Sequence, residues 1–419
     1  MKKNFLAGLL SGIGSSILIF AIVGTLYVMA DGKIKGYNNN NTQIEEAQEE
    51  EQPALKAAEY KQIMDKLIFL EMLVDNYYLE DVDPKVFADG IYKGFIASLD
   101  DPYSTYYTAE EYKALMESSS GVYHGIGATV SQNTKTGVVT IVKPFKNGPA
   151  YEAGLLPGDI IYMVEGEEVT GVDLTEVVSK MKGKEGTKVR ISVLREGETK
   201  PMEFTITRKK IEVPTIDYKM LEDKIGYIVI SEFDEVTVLQ FKEAIDDLES
   251  KGMKGLVIDV RNNPGGLLDS VCKMLDRILP KGLLVYTEDK YGNREEELAK
   301  DSIKLEVPLA VIINGNSASA SEIFAGAVQD YGIGTIVGTT SFGKGIVQKV
   351  IPLTDGTAVK LTISKYFTPK GRNIHGTGIT PDIEVELDEE VQKLVEIPFE
   401  KDTQLQEAIK VVKKNMKSK

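Results

Sequence analysis

Three things are in short supply in this chain of 419 residues: cysteine, histidine and net positive charge. The single cysteine, Cys272, excludes an intramolecular disulfide framework and leaves no cysteine cluster for a metal. It stands in the apolar pattern Leu267, Leu268, Val271, Leu275, which reads as a buried core thiol. The two histidines, His124 and His375, lie far apart, and neither has an acidic partner in an obvious motif. Two separated histidines and one cysteine do not assemble the usual catalytic zinc site, so no metal or cofactor is called for. A net charge of −15 argues against a nucleic-acid partner and against general adhesion to anionic lipid.

What is present divides into segments. At 42% hydrophobic, the chain has enough apolar surface for two or three domains. Met1-Lys-Lys-Asn4 precedes an uncharged stretch from Phe5 to Ala30, long enough to span a bilayer, which takes ~20 residues. Lys2 and Lys3 favour an inside N-terminus. Residues 1–30 are therefore expected to be a cytoplasmic tip and single-pass signal anchor, with everything after Asp31 outside the cytoplasm. Val28-Met-Ala30 also fits a cleavage site, which leaves a secretory signal as the alternative. Residues 31–52, with Asn38–Asn41 and the acidic run from Glu45, read as a polar tether. In 53–120, Leu55, Ala58, Ile63, Leu67 and Leu70, then Val86, Ile91 and Phe95, recur at helical spacing.

From 121 to 210 the pattern changes to short β-rich runs separated by glycines. From 211 to 388 strands and helices alternate: Ile225–Ile230 strand, Val236–Leu248 helix, Gly255–Val260 strand, Leu267–Leu279 helix, Leu283–Tyr286 strand, Leu309–Ile313 strand, Ala320–Asp330 helix. That alternation predicts an α/β core. In 389–419, Leu405, Ala408, Ile409 and Val412 predict a final helix packed on the core or on a neighbouring subunit.

Two segments carry the chemistry. Asn314-Gly-Asn-Ser-Ala-Ser-Ala-Ser-Glu322 places Ser317, Ser319 and Ser321 between a strand pattern and a helix start. Thr340-Ser-Phe-Gly-Lys-Gly-Ile-Val-Gln348 places Lys344 between two glycines. A serine nucleophile needs a base, and with the histidines unsuitable, lysine is the candidate. Helix-terminal N–H groups near such a serine favour developing negative charge. Locally, Ser319-x-x-Glu322 reads equally well as a capping box, and Lys344 as a surface residue in a hairpin. To work as a base the lysine must be neutral, which apolar surroundings such as Phe342, Ile346 and Val347 favour.

Taken with Arg261-Asn-Asn-Pro-Gly-Gly266, these segments resemble the tail-specific, or carboxyl-terminal processing, peptidases, serine proteases with a Ser-Lys dyad. The likeness runs from about residue 60 to the C-terminus and includes Leu99-Asp-Asp-Pro-Tyr-Ser-Thr-Tyr-Tyr107. It implies Ser319 as nucleophile, Lys344 as general base and Gln348 as the residue that orients the lysine. It implies an oxyanion hole from Ala320 and a glycine of the pair Gly265-Gly266. Asp330 stays outside the dyad. It also implies a multidomain α/β fold, with a core similar to crotonase and Clp protease and an inserted PDZ domain. Gly148-Pro-Ala-Tyr-Glu-Ala-Gly-Leu-Leu-Pro-Gly-Asp-Ile160 carries the PDZ likeness, and Tyr123-His-Gly-Ile-Gly127, with Gly125, Ile126 and Gly127 as peptide-binding candidates, resembles its carboxylate-binding loop. Consecutive backbone N–H groups near glycines suit an anion. Leu174, Val177, Val178 and Met181 offer an apolar wall, some of it facing the domain core. Lys182 stands where many relatives carry arginine.

The expected activity is that of a serine endopeptidase at the cell membrane, acting outside the cytoplasm on proteins with apolar C-termini. N-terminal helices in this family often join subunits, which implies a homodimer or larger homo-oligomer. A silent PDZ adaptor is the competing class, and Ser319, Lys344, Gln348 and the Gly-Gly loop argue against it. A crotonase-type acyl-thioester enzyme has no use for a PDZ domain or an external location.

Overall fold

The computed structural model describes residues 55–300, 305–392, 394 and 397–417. The expected membrane span and tether lie outside the described residues; among the described residues no helix is long and apolar enough to cross a membrane. The chain forms two units, one ending at Val82 and the other running from Asp83 to Lys419. The described part of the first holds helix α1 (Ala57–Tyr77).

The second unit begins with α2 (Pro84–Ala97), which starts where Asp83 accepts from the Lys85 N–H and Pro84 takes a first-turn position. The helical pattern expected over 53–120 is then interrupted. A turn at Asp100–Ser104 leads into strand β1 (Thr105–Tyr107), followed by α3 (Ala109–Ser120). Thr-Tyr-Tyr favours a pleated surface, and this short strand pairs antiparallel with a strand from far along the chain. A reciprocal pair of bonds between Thr108 and Glu111 starts α3.

The glycine-punctuated segment opens with β2 (Val122–Gly125) and builds a sheet from β3 (Ala128–Gln132), β4 (Val139–Pro144), β5 (Ile160–Val164), β6 (Glu167–Glu168), β7 (Lys188–Leu194) and β8 (Met202–Thr207). The order is β3-β4-β5-β7-β8, with β6 on β5, so β3 is an edge strand. Helices α4 (Pro149–Ala153) and α5 (Leu174–Met181) accompany it. The chain leaves through β9 (Lys209–Glu212), which pairs with β2.

The α/β layer follows the alternation read from the sequence. Its strands are β10 (Ile216–Met220), β11 (Ile225–Ile230), β12 (Gly255–Asp259), then, after an antiparallel pair β13 (Gly282–Asp289) and β14 (Arg294–Ala299), β15 (Leu309–Ile313) and β16 (Gly334–Gly338). Further on come β17 (Ile346–Pro352), β18 (Ala358–Phe367) and β19 (Ile383–Glu384). One sheet has the order β10-β11-β12-β15-β16-β19, parallel except for β10. The other groups β1, β18, β13 and β14, with β17 on β18.

Every residue of β12 and β15 is buried, as expected of parallel strands covered on both faces. Leu256, Ile258, Val311 and Ile313 face α6 (Glu235–Ser250), α7 (Leu268–Asp276) and α8 (Ala320–Tyr331). Val257, Ala310 and Ile312 face Leu405, Ala408 and Val412 of α10 (Thr403–Met416), which follows the one-turn α9 (Glu389–Gln392). The predicted tail helix thus packs on the core. Gly255 permits that approach, because a Cβ there would collide with Val412. Cys272 is buried, and burial pushes its thiol up to about 12.

A buried ionic clamp closes this face. Arg261 pairs with Asp259 (2.6 Å) at the end of β12 and with Asp402 (2.8 Å) at the start of α10. Tyr227 donates to Asp259 (2.7 Å). Removing one member of a buried pair strands the others. Arg261→Met is expected to destabilise the protein by about 3–5 kcal/mol, read as a lower urea midpoint with the m-value unchanged. An unchanged midpoint would remove the clamp from the stability argument.

Candidate active site

Strands β12 and β15 are parallel neighbours, so the loops that follow them emerge side by side at one sheet edge. They are stitched together: Ala318 N–H donates to Asn263 O (3.0 Å), and Asn262 N–H to Asn314 Oδ1 (3.0 Å). The same stitching sorts the three serines. Ser317 Oγ donates to Val260 O (2.8 Å) and Ser321 Oγ to Asn263 O (2.9 Å), and both residues are wholly buried. Ser319 is part-exposed, and its hydroxyl donates to no acceptor among the described residues. Its backbone, at φ 54° and ψ −113°, occupies a region that non-glycine residues rarely enter. Such strain persists only where the surroundings enforce it, and it concentrates at working sites.

The enforcing group is Glu322, fully buried in the first turn of α8. One carboxylate oxygen accepts from the N–H groups of Ser319 (2.8 Å) and Lys344 (2.8 Å). The other accepts from Ser341 Oγ (2.6 Å) and the Gly343 N–H (2.7 Å). The capping box is therefore real, and the capping residue also holds the lysine loop. The sequence signalled the first role only.

The oxyanion candidates separate. Gly265 N–H is committed to Asn263 Oδ1 (2.8 Å). Gly265 instead supplies clearance, since a Cβ there would lie 2.8 Å from Ser319 Cβ and 3.0 Å from Ala320 N. The N–H groups of Gly266 and Ala320 have no acceptor among the described residues. Ala320 follows Ser319, and Gly266 follows the Gly265 that lies against Ser319, so both amides are open donors in the two loops that meet at the serine.

Lys344 is half-buried. Burial lowers its amine below the ordinary lysine range, and the Lys360 charge adds to that, while Asp101 and Glu322 oppose it. Phe342, expected in the apolar surroundings, is instead 58% exposed, and the aromatic face over which the amine sits belongs to Tyr103, 4.5 Å away. No hydrogen bond joins the Lys344 amine to the Ser319 hydroxyl among the described residues; what links the two residues is Glu322, which accepts from both backbone N–H groups. Gln348 does not bond Lys344 either. Its amide donates to Thr362 Oγ1 (3.2 Å). Asp330 binds Arg372 and the Lys370 N–H, away from the serine. Among the described residues no cluster of metal-ligating side chains occurs.

A second site lies beside edge strand β3. Ile126, Val178 and Met181 line a groove of about 260 Å³, whose opposite wall includes Glu117, Glu232 and Asp234. Leu174 is absent from it and packs on the sheet's own core, as does Val177. Gly125 leaves room for the Tyr123 ring, and Gly127 has φ 73°. Burial pushes the Tyr123 hydroxyl up, against the Ala128 and Gly127 N–H groups that face it. Lys182 bonds Glu117 (3.2 Å) and sits 5.0 Å above that same ring. Burial, then the charge of Glu232, pushes Asp234 up to about 7.

The model of peptidase family S41 matches residues 224–385, that of the PDZ domain 124–206, and that of the activating protease CtpB N-terminal domain 19–111. The carboxy-terminal processing protease CtpB of Bacillus subtilis is 39% identical over 332 residues, which cover 78% of this chain and 69% of that protein. The chain belongs to the carboxy-terminal processing proteases. The enzyme of that name from Bartonella bacilliformis is 40% identical over 336 residues, covering 78% of this chain and 76% of the other. A solved structure described as an S41 protease from Bacteroides fragilis shares the fold, with a TM-score of 0.52 at 19% identity over 80% of this chain and 93% of the other.

This protease is accordingly a serine-type peptidase, and two outcomes follow from its site. Glu322→Gln places an amide N–H₂ among four donors and is expected to lower kcat by at least about tenfold while the fold survives. Near-wild-type kcat would show that the loops hold their places without it. Asp234 has a folded-state pKa above its unfolded value, so its contribution to stability is complete below about pH 4 and lost as pH rises through about 7. Asp234→Asn, an equally good helix cap, should flatten the fall in Tm between those limits. An unaltered pH profile would reject that account.

Proposed function

We propose that the protein is a membrane-anchored serine endopeptidase that works outside the cytoplasm. In this reading it recognises apolar C-terminal tails through its PDZ domain and cleaves with Ser319 and Lys344. The observation that carries the reading is the sorting of the three serines. Of the three serines, only Ser319 has a hydroxyl that donates to no acceptor among the described residues, and it lies on a strained turn fixed to the lysine loop and next to two open amides of the adjoining loops.

The chemistry follows from those positions. Neutral Lys344 takes the hydroxyl proton as Ser319 Oγ attacks the scissile carbonyl. The oxygen, now negative, is held by the Gly266 and Ala320 N–H groups at the start of α8, where the helix dipole adds to their effect. As the tetrahedral adduct collapses, Lys344 passes its proton to the leaving amine. Water then enters and gives a proton to Lys344 as its oxygen attacks the acyl carbon. As this second adduct collapses, Lys344 returns the proton to Ser319 Oγ, which releases the new C-terminus and the free hydroxyl. Burial of Lys344 favours the neutral form that the first step requires, so activity rises with pH.

Substrate choice falls to the groove beside β3, where a tail extends the sheet edge and its carboxylate meets the amides near Gly127. Ile126, Val178 and Met181 favour an apolar last residue. The groove is shared with α3 and the core, so an occupying tail also bears on the elements that hold Lys344. The anchor rests on Lys2, Lys3 and the uncharged stretch Phe5–Ala30.

The test uses a peptide with an apolar free-acid tail, its amidated twin, and the variants Ser319→Ala and Lys344→Ala. Each variant is expected to abolish cleavage, and the double variant to add little. Amidation is expected to raise KM, and to lower kcat as well if tail binding reorganises the site. Peptidase activity in Ser319→Ala would sink the choice of serine, and equal cleavage of both peptides would sink carboxylate recognition. Extraction of the full chain from membranes by salt or alkali would sink the anchor.

A further inference from the structure

Residues 100–104 precede the PDZ domain in sequence, yet they reach the core at the lysine. The turn is tightly built. Asp101 accepts from the Tyr103 N–H (3.0 Å) and from Ser104 Oγ (2.6 Å), and Ser104 Oγ in turn accepts from the Thr362 N–H (3.0 Å). Strand β1 then continues along β18, with Thr105 opposite Lys360. This anchoring places the Tyr103 ring 4.5 Å from Lys344 Nζ. Thr362, which also bonds Asp101, receives the Gln348 amide (3.2 Å).

We propose that the Asp101–Ser104 turn is a positioning element for Lys344: the Tyr103 ring and the Asp101 carboxylate hold its amine beside the turn, and Gln348 acts on it through Thr362 and Asp101. The proposal rests on the reading of Lys344 as general base and supplies its local control. The charged groups that face the amine come from three directions: Lys360 on β18, Glu322 on α8, and Asp101 on the turn. Its own loop, Ser341–Ile346, carries no other charge. Burial and Lys360 favour the neutral amine. Glu322, Asp101 and the ring face favour the ammonium. Glu322 is fixed by its four donors, and the turn by its own bonds to Thr362 and β18.

The experiment reads Lys344 directly. Full-length protein in an Ser319→Ala background is labelled with acetic anhydride across a pH series, and the Lys344 peptide is quantified by mass spectrometry. Asp101→Asn and Tyr103→Leu each remove a contact that favours the ammonium, so both labelling midpoints should move to lower pH. At a fixed pH below the midpoint, Lys344 labelling should rise roughly threefold. Tyr103→Phe keeps the ring and should keep the wild-type midpoint. Midpoints unmoved in folded Asp101→Asn and Tyr103→Leu, matched by Tm, would overturn the proposal. So would a Tyr103→Phe midpoint that moves with Tyr103→Leu. Hydrolysis of β-casein by the same variants with Ser319 restored separates the two readings. If its rising pH limb moves with the labelling, both stand. If labelling moves and the limb does not, the turn positions Lys344 but Lys344 is not the base.

Discussion

One buried carboxylate sets the geometry of this protease. Glu322 sits in a place where an unpaired charge would be very costly, and its two oxygens are satisfied by four donors from two loops. Because Ser319 N–H and Lys344 N–H share one oxygen, the two backbone nitrogens lie at most two hydrogen-bond lengths apart. Neither loop shifts without leaving a donor or an acceptor unpaired. The strained backbone at Ser319 is one side of that constraint. The glycines beside Lys344 are the other, since they let the loop lie flat enough for two successive N–H groups to reach the same carboxylate.

Much of the architecture was legible because it depends on local pattern. The continuous apolar runs of β12 and β15 mark buried parallel strands, and the spacing of Leu405, Ala408 and Val412 marks a helix with one buried face. The segment around Ser319 showed a strand, a tight loop and a helix start. What could not be read depends on groups that meet only in space. Glu322 looks like a helix cap because its partner Ser319 is three residues away, and nothing at Ser341–Lys344 announces the second set of donors. Gln348 is near Lys344 in sequence, but β17 directs its amide to Thr362. Gly265 and Gly266 are indistinguishable on paper, and only the Asn263 side chain decides which amide stays open. Tyr103, rather than Phe342, faces the lysine because β1 is claimed by β18.

The groove beside β3 has an uneven chemistry. Its PDZ wall is apolar, whereas the wall from the core carries Glu232 and Asp234, whose ionised forms burial disfavours. Lys182 bridges the two sides through Glu117 and the Tyr123 ring. Tyr123 in turn faces the amides expected to receive a carboxylate. Under the proposed reading, a tail entering here would compete with that internal neighbour, so its binding energy would be a difference between two occupied states.

The pairing of Thr105 with Lys360 joins the beginning of the protease to a strand made near its end. Contacts of such long range pay their loop-closure entropy before they gain anything in return, and they form late. During synthesis, the segment bearing Ser319 leaves the ribosome before β18 exists to receive β1. A nascent chain that ends before β18 therefore has Ser319 in place but no partner strand to seat Tyr103 against Lys344. The strand that seats Tyr103 thus ties the surroundings of Lys344 to a late step of assembly.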